Sequence, residues 1–175
     1  SIANNPLHLV YPTSGSYNIT LNVTENGCSS SANTVPVTVY TVPTANFTVQ
    51  GPICEGASVN VLYTGNANLN NAQFTWGWDG GTATNTSGEN YSVQYASAGN
   101  YDLTLHVAEN GCGSVDVTQP LVVNAIPTST FIATSPVCTN EGSIVTYTGS
   151  APQNATYAWT FDNGTVASGS GQGPY

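Results

Sequence analysis

The chain has 175 residues, nine of them acidic, and it contains no lysine or arginine, so its formal net charge at pH 7 is −9. Without basic side chains it has nothing to neutralise the phosphates of nucleic acid or of an anionic membrane surface, which argues against both as partners. Salt bridges from lysine or arginine are equally impossible, so we expect apolar burial, backbone hydrogen bonds and covalent links to hold the fold together.

Runs of alternating apolar and polar residues follow one another along the chain, which is typical of half-buried β-strands and argues against disorder. No segment has helical periodicity, and no apolar run approaches the ~18 residues that cross a bilayer. For the middle of the chain we predict seven strands, lettered A, B, C, C′, E, F and G, at 46–50, 58–64, 73–79, 81–86, 90–96, 100–108 and 114–124.

The chain repeats itself at a spacing of 84 residues. The segment 11–28, YPTSGSYNITLNVTENGC, aligns without a gap on 95–112, YASAGNYDLTLHVAENGC. Two further pairs of segments align with small irregularities. Residues 42–56 align on 126–142 with a two-residue insertion, and residues 74–82 align on 157–165 one residue out of step with the 84-residue spacing. Self-similarity of this kind indicates a tandem array of one structural module.

The predicted modules follow one another without a linker. Residues 43–126 form one complete module, 1–42 the C-terminal half of the module before it, and 127–175 the N-terminal half of the module after it. An isolated half-sandwich leaves strand edges open, so we expect both halves to be completed. Either the chain is a piece of a longer continuous array, or separate copies complete one another head to tail.

The location is suggested by what the chain contains and lacks. It has no methionine and no leader segment, which indicates a mature or internal piece. Four cysteines in a strand-rich chain indicate an oxidising, extracellular setting.

Two motifs carry a family resemblance. The first, W-x-(W/F)-D-(G/N)-G, begins at Trp76 and again at Trp159, and the second, (A/S)-G-x-Y-x-(L/I)-T-L-x-V, surrounds Tyr17 and Tyr101. In these motifs the chain resembles the PKD (polycystic kidney disease) domain, above all the PKD-like and Ig-like tandem repeats of bacterial surface proteins. The usual W-x-F-G-D-G of that family is altered here to WGWDGG at 76–81. The resemblance implies an all-β fold of tandem Ig-like (PKD-like) β-sandwich modules of about 84 residues.

The same resemblance implies a structural function. Such repeats act as stalks, spacers and adhesive or filament-building units, so we expect a repeat unit of an extracellular filament or a long cell-surface adhesin shaft. Its partners would be neighbouring copies of itself, head to tail. The alternative is a polysaccharide-binding accessory module of a secreted multidomain protein, which would need a row of exposed aromatic side chains. No Ser-His-Asp or Cys-His pattern recurs, so we expect no enzyme.

The four cysteines occupy two places in the repeat. Cys54 and Cys138 precede strand B, whereas Cys28 and Cys112 follow strand F. In an Ig-like sandwich these turns lie at opposite poles, over ~20 Å apart, but a disulfide joins Cα atoms within about 7 Å. We therefore predict inter-module disulfides, from Cys54 to the counterpart of Cys28 and from Cys138 to the counterpart of Cys112. A Cys54–Cys112 bond is the alternative, if strand A or the F–G hairpin is displaced from the Ig-like pattern.

The aromatic candidates have structural interpretations. Trp76 and Trp159 stand on alternating strands, so we expect core packing rather than platforms for stacking sugars. Tyr17 and Tyr101 stand at the start of strand F, where a tyrosine corner would lie.

The polar candidates are residues that could bind a metal ion or carry a glycan. Asp79 and Asp162 occupy Asp-Gly-Gly and Asp-Asn-Gly turns, and no dense set of oxygen ligands surrounds them, so we expect no cofactor and leave only Ca²⁺ open. His8 and His106 do not align with each other, and we expect no metal site. Asn-x-Ser/Thr triplets mark candidate glycosylation sites at Asn18, Asn22, Asn46, Asn85, Asn90, Asn154 and Asn163.

Overall fold

The computed structural model describes residues 6–175, in which strands form and no helix does. The contacts divide the chain into two compact units, Ser1–Asn124 and Ala125–Tyr175. The strands are β1 Gly15–Leu21, β2 Thr24–Glu25, β3 Cys28–Ser29, β4 Asn33–Val39, β5 Phe47–Val49, β6 Ile53–Cys54, β7 Ser58–Tyr63, β8 Gln73–Gly77, β9 Thr82–Ser87, β10 Asn90–Gln94, β11 Gly99–Glu109, β12 Cys112–Gly113, β13 Val117–Asn124, β14 Phe131–Ala133 and β15 Val145–Tyr147.

The middle of the chain folds as the predicted all-β sandwich. One sheet has the order β5-β7-β10-β9, and the other has the order β12-β11-β13-β6 with β8 paired to β11. The predicted strands A, B, C, C′, E, F and G correspond to β5, β7, β8, β9, β10, β11 and β13, with ends close to the predicted ones. The alternation of apolar residues therefore identified these strands correctly.

The core lies between these two sheets. On β11 the side chains of Leu103 and Val107 are 0% exposed and Leu105 is 1% exposed, while β7 and β10 contribute Val61 and Val93 at 0%. The polar residues between them on β11 are only partly buried or exposed, as a period of two requires. Each fully buried aliphatic side chain contributes about 1.5–3 kcal/mol, so the facing strands stabilise the sandwich without any salt bridge from lysine or arginine.

The segment that follows strand A differs from its prediction. Instead of one strand followed by a turn, the chain leaves the first sheet after β5 and joins the second sheet as β6, where Cys54 pairs in parallel with Asn124. Pro52 lacks a backbone N–H and interrupts the ladder between them. A Cβ on Gly51 would lie 2.7 Å from Cδ1 of the buried Leu121, so a larger residue there would have to displace that side chain. The exchange of sheets fixes Cys54 beside the end of β13.

The flanking segments repeat parts of this sandwich. In the first unit, β1 pairs with β4 so that Tyr17 lies opposite Val37, as Tyr101 lies opposite Leu121 in β11 and β13. In the second unit, β14 pairs with β15 so that Phe131 lies opposite Tyr147. This register equals that of Phe47 and Tyr63 after a shift of 84 residues.

Candidate functional site

One end of the central sandwich is built around Cys54. The backbone N–H of Glu55 donates to the carbonyl of Asn124 at 2.8 Å, and Oε2 of Glu55 accepts from the N–H of Ala98 at 3.1 Å. These contacts tie the A–B turn to the end of β13 and to the turn before β11. We call this end, with Cys54, Ala98 and Asn124, the Cys54 pole. The chain leaves the module here, because Asn124 is the last residue of β13.

The opposite end is built around Cys112. Asn110 and Gly111 form the turn between β11 and β12 with φ of 51° and 78°, the left-handed conformations typical of an Asn-Gly hairpin. Cys112 then pairs with Glu109, whose carboxylate accepts from the N–H of Asn68 at 3.4 Å. We call this end the Cys112 pole.

The first residues of the module lie at the Cys112 pole. The hydroxyl of Tyr63 donates to the carbonyl of Thr44 at 3.0 Å and accepts from the N–H of Ala67 at 3.0 Å, next to Asn68. The chain thus enters the module at the Cys112 pole and leaves it at the Cys54 pole.

The length of β11 separates the two cysteines. Gly99, at one end of β11, pairs with Val123, and Glu109, at the other end, pairs with Cys112. Strand residues rise ~3.3 Å each, so the poles are roughly 30 Å apart, several times the reach of a disulfide. Within the described residues, no two of the four cysteines are bonded to each other. Cys28 follows the same kind of turn, with Asn26 at φ 51° and Gly27 at φ 80°.

An aromatic cluster joins the two sheets of the central module. Trp76 and Trp78 stack with ring centroids 4.8 Å apart and an interplanar angle of 9°. Phe47 and Tyr91 meet Trp76 edge-on, at 5.1 Å and 5.5 Å. The indole N–H of Trp76 donates to Oε2 of Glu89 at 3.1 Å, a partner that no sequence pattern indicated. The two tryptophans therefore pack against the core instead of forming a flat exposed platform.

The second unit contains the same cluster. Trp159 and Phe161 stack at 5.9 Å with an interplanar angle of 5°, and Phe131 meets Trp159 at 5.2 Å and 73°. Tyr175 packs on Trp159 at 5.4 Å, in the place that Tyr91 takes on Trp76. The indole N–H of Trp159 donates to the carbonyl of Gly171 at 2.9 Å.

Both candidate corner tyrosines make the hydrogen bond of a tyrosine corner. The hydroxyl of Tyr101 donates to the carbonyl of Ser97 at 2.9 Å, four residues upstream. The hydroxyl of Tyr17 donates to the carbonyl of Thr13 at 2.8 Å with the same spacing. The corner is thus built twice, at the start of β11 and of β1.

Comparison with protein families identifies the central module. Residues 40–125 match the model of the PKD domain family. The central module is a PKD domain. A search of curated proteins gave no match to the chain.

PKD domains are typically non-catalytic Ig-like modules found in extracellular proteins, and the match suggests a module of the structural or adhesion type. No helix among residues 6–175 is long and apolar enough to cross a membrane.

The acidic candidates stand in turns, and the two histidines have different surroundings. Asp79 adopts φ 47° in its turn, and its Oδ2 accepts from the N–H of Asp102 at 3.0 Å; Asp162 adopts φ 52°. His106 pairs with Asp116, with Nδ1 and Oδ1 2.8 Å apart, and His8 is exposed. Within the described residues, no three His, Cys, Asp or Glu side chains are grouped where they could hold a metal ion.

The candidate glycosylation sites differ in how their amides are used. Asn22 and Asn85 are exposed but donate from Nδ2 to the carbonyls of Ser30 and Gly88. Asn90 is half-buried, and its Oδ1 accepts from the N–H of Tyr63 at 3.1 Å. The other four candidates have exposed residues: Asn18, Asn46, Asn154 and Asn163.

Proposed function

We propose that this chain is a structural repeat unit of an extracellular filament or of a long cell-surface adhesin shaft, stacked head to tail and stapled by disulfides. The observation that supports it most directly is the placement of Cys54 and Cys112 at opposite poles of the PKD domain. Two cysteines at opposite poles are too far apart to form a disulfide within one module. In a stack, however, each junction has one cysteine on either side.

The direction of the chain sets which thiols meet. The chain leaves each module at the Cys54 pole and enters the next one, which follows without a linker, at its Cys112 pole. Each junction of a stack therefore brings a cysteine of the first kind next to one of the second kind. The expected bonds run from Cys54 to Cys28 of a second copy, and from Cys138 to Cys112 of that same copy.

Disulfides between modules would stiffen the shaft, because ion pairs from lysine or arginine cannot do so. With no lysine or arginine, neighbouring modules cannot be held by the ion pairs that many interfaces use, and each copy carries a formal charge of −9. Repulsion between copies of like charge favours a covalent junction. Such bonds persist in the oxidising surroundings in which PKD domains are typically found.

The alternative, a polysaccharide-binding accessory module, has less support. It would need aromatic rings in a row on one surface. In the PKD domain, Trp76, Trp78 and Tyr91 pack against the core and against one another.

The test is disulfide mapping by mass spectrometry on unreduced, oxidised chain, digested with chymotrypsin. Trypsin has no site, and Glu-C leaves Cys28 and Cys54 together on the peptide 26–55. An equal mixture of ¹⁴N- and ¹⁵N-labelled chain should give Cys54–Cys28 and Cys138–Cys112 peptides of mixed isotope, which proves bonds between copies. Cys54→Ser should remove the first link and leave the second. Electron microscopy of the oxidised chain should show fibres. A Cys54–Cys112 peptide of uniform isotope would overturn the proposal.

A further inference from the structure

The hairpin of β1 and β4 exposes an apolar face that its counterpart in the PKD domain buries. Leu103, Leu105 and Val107 are at most 1% exposed in β11. Their counterparts 84 residues earlier are Ile19, Leu21 and Val23, which are 40%, 61% and 54% exposed. Because the register of β1 on β4 equals that of β11 on β13, these side chains already stand in the positions that a sandwich core requires.

The second unit exposes the complementary face. Phe131 is 55% exposed, whereas its counterpart Phe47 is 3% exposed. An open cleft of about 380 Å³ is lined by Phe131, Tyr147, Tyr157 and Trp159. The counterparts of the two lining residues in strand C, Phe74 and Trp76, lie opposite Val107 and Leu105 in the PKD domain. The cleft therefore occupies the place that the F strand fills in a complete module.

Two strand edges are open at matching positions. In the PKD domain β8 pairs with β11, and β11 pairs with β8 on one side and β13 on the other. In the described residues the counterpart of β8, around Tyr157 and Trp159, forms no strand, and β1 pairs with β4 alone. Each edge lacks the neighbour that the other could supply.

We propose that residues 6–42 of one copy of this chain dock on residues 127–175 of a second copy and close a complete sandwich, which we call the composite module. This deepens the head-to-tail stack proposed above and rests on it. The register follows from the PKD domain: Leu21 pairs with Trp159 and Val23 with Tyr157 of the other copy, as Leu105 pairs with Trp76 and Val107 with Phe74. Val39 would then lie opposite Val137, as Val123 lies opposite Ile53.

A second copy is the occupant that fits, because the PKD domain in the same chain shows what covers each face. Tyr11 packs on Tyr17 with ring centroids 4.4 Å apart and a tilt of 33°, as Tyr95 packs on Tyr101 at 4.2 Å and 35°. The N–H of Tyr175 donates to the carbonyl of Val145 at 3.0 Å, and Tyr91 pairs with Val61 in the same way. Obligate interfaces resemble a domain core cut in half and bury roughly 2,000 Å² or more, and the composite module would be such an interface.

The test uses the full chain with all four cysteines replaced by serine, so that no staple contributes. Sedimentation velocity should show multimers that grow with concentration and with salt, because salt screens the charge of −9 on each copy. Leu21→Asp places a charge on the apolar face of the β1–β4 hairpin. Phe131→Asp places a charge in the cleft of the second unit. Each variant alone should be monomeric, with association weakened at least tenfold. An equal mixture should form dimers and nothing larger, since one functional face remains on each partner.

Two control variants carry the same charge on the opposite faces of the same strands. Asn18→Asp introduces the residue that β11 has at the equivalent position, Asp102. Ile132→Asp replaces a side chain that is 62% exposed and adjacent in sequence to Phe131. Both should associate as the reference chain does. Hydrogen exchange should slow at residues 21–23 and 157–159 on association. A reference chain that stays monomeric at every concentration, or a Leu21→Asp chain that still forms multimers, would overturn the proposal.

The same variants separate this proposal from the staple. If the cysteine-containing chain gives mixed-isotope Cys54–Cys28 peptides that Leu21→Asp leaves unchanged, the stack stands and the composite module is wrong. If the serine chain assembles as expected but the oxidised chain gives no linked peptides between copies, the composite module stands and the staple is wrong.

Discussion

The indole nitrogen of Trp76 donates to Oε2 of Glu89 at 3.1 Å, and the same oxygen accepts from the hydroxyl of Tyr91 at 3.2 Å. The carboxylate thereby ties strand C to strand E at the edge of the core. Trp78, stacked on Trp76, is replaced by Phe161 in the second unit, where the stacking persists without an indole N–H. The two tryptophans are neighbours, yet only Trp76 is matched by an indole in the other copy of the motif.

We expect Trp76→Phe to lower the free energy of unfolding more than Trp78→Phe, by about 1 kcal/mol or more. A hydrogen bond to a charged group contributes about 1.5–3 kcal/mol, and Trp76→Phe removes one while leaving Glu89 without that donor. Urea denaturation followed by circular dichroism measures both variants without relying on tryptophan fluorescence. Equal losses, or a larger loss for Trp78→Phe, would contradict this assignment.

The Asn-Gly turn before Cys112 should be sensitive to backbone geometry rather than to space. Gly111 has φ 78°, and a Cβ there would meet nothing within 4 Å. Gly111→Ala should therefore destabilise the PKD domain by about 1–2 kcal/mol through the left-handed conformation alone. Gly111→Asn is the matched control and should lose less, because asparagine tolerates that conformation. Thermal unfolding compares the two, and an alanine variant as stable as the parent would refute the explanation.

Glycosylation should discriminate between sequons that look alike in the sequence. In a host that glycosylates Asn-x-Ser/Thr, we expect occupancy at the exposed Asn46 and little at Asn90. The amide of Asn90 is half-buried, and its Oδ1 accepts from the N–H of Tyr63, so a glycan there would disturb the joint between β7 and β10. Glycopeptide mass spectrometry gives the occupancy of each site. High occupancy at Asn90 in folded protein would show this prediction to be wrong.

The sequence predicted the strands wherever burial alternates residue by residue. On β11 a period of two separates the buried Leu103 from the polar Thr104, and any strand with one face in a core shows that pattern. The Asn-Gly turn and the tyrosine corner were also predictable, because their conformations depend on residues close together in the chain. The transfer of Cys54 to the second sheet was missed, although Pro52 was a local signal that the ladder would break.

Contacts between distant residues were beyond the sequence pattern. Glu89 lies 13 positions from Trp76, and nothing in either residue indicates the other. The strand predicted by homology around Trp159 is another case. Its aromatic residues adopt the expected cluster, but its backbone forms no strand, because a strand needs a neighbour and β8 obtains its own from β11. The packing of nearby aromatic side chains follows from the local sequence. The formation of a β-ladder depends on a second strand that pairs with the edge of the first.

Tyr95 should make the stability of the PKD domain depend on alkaline pH. Its side chain is 1% exposed, and its hydroxyl donates to the carbonyl of Trp78 at 2.8 Å. Burial, with the nearby charges of Asp79 and Tyr101, raises the pKa of Tyr95 from 10.0 to about 12. Below pH 10 the folded and unfolded states both keep the proton. Between pH 10 and about 12 only the unfolded state releases it, so the stabilisation is lost as the pH rises through this window.

The measurement is the free energy of unfolding of the chain with its four cysteines replaced by serine, in urea, from pH 8 to 12, compared with the same chain carrying Tyr95→Phe. The variant should be less stable at pH 8 by about 1 kcal/mol, because it lacks the hydrogen bond. The difference between the two chains should shrink above pH 10, by at most about 1.4 kcal/mol for each pH unit. Asp79→Asn, which keeps an acceptor for the N–H of Asp102, should narrow the window by lowering the pKa of Tyr95. Parallel stability curves for the parent and Tyr95→Phe would mean that Tyr95 does not carry this pH dependence.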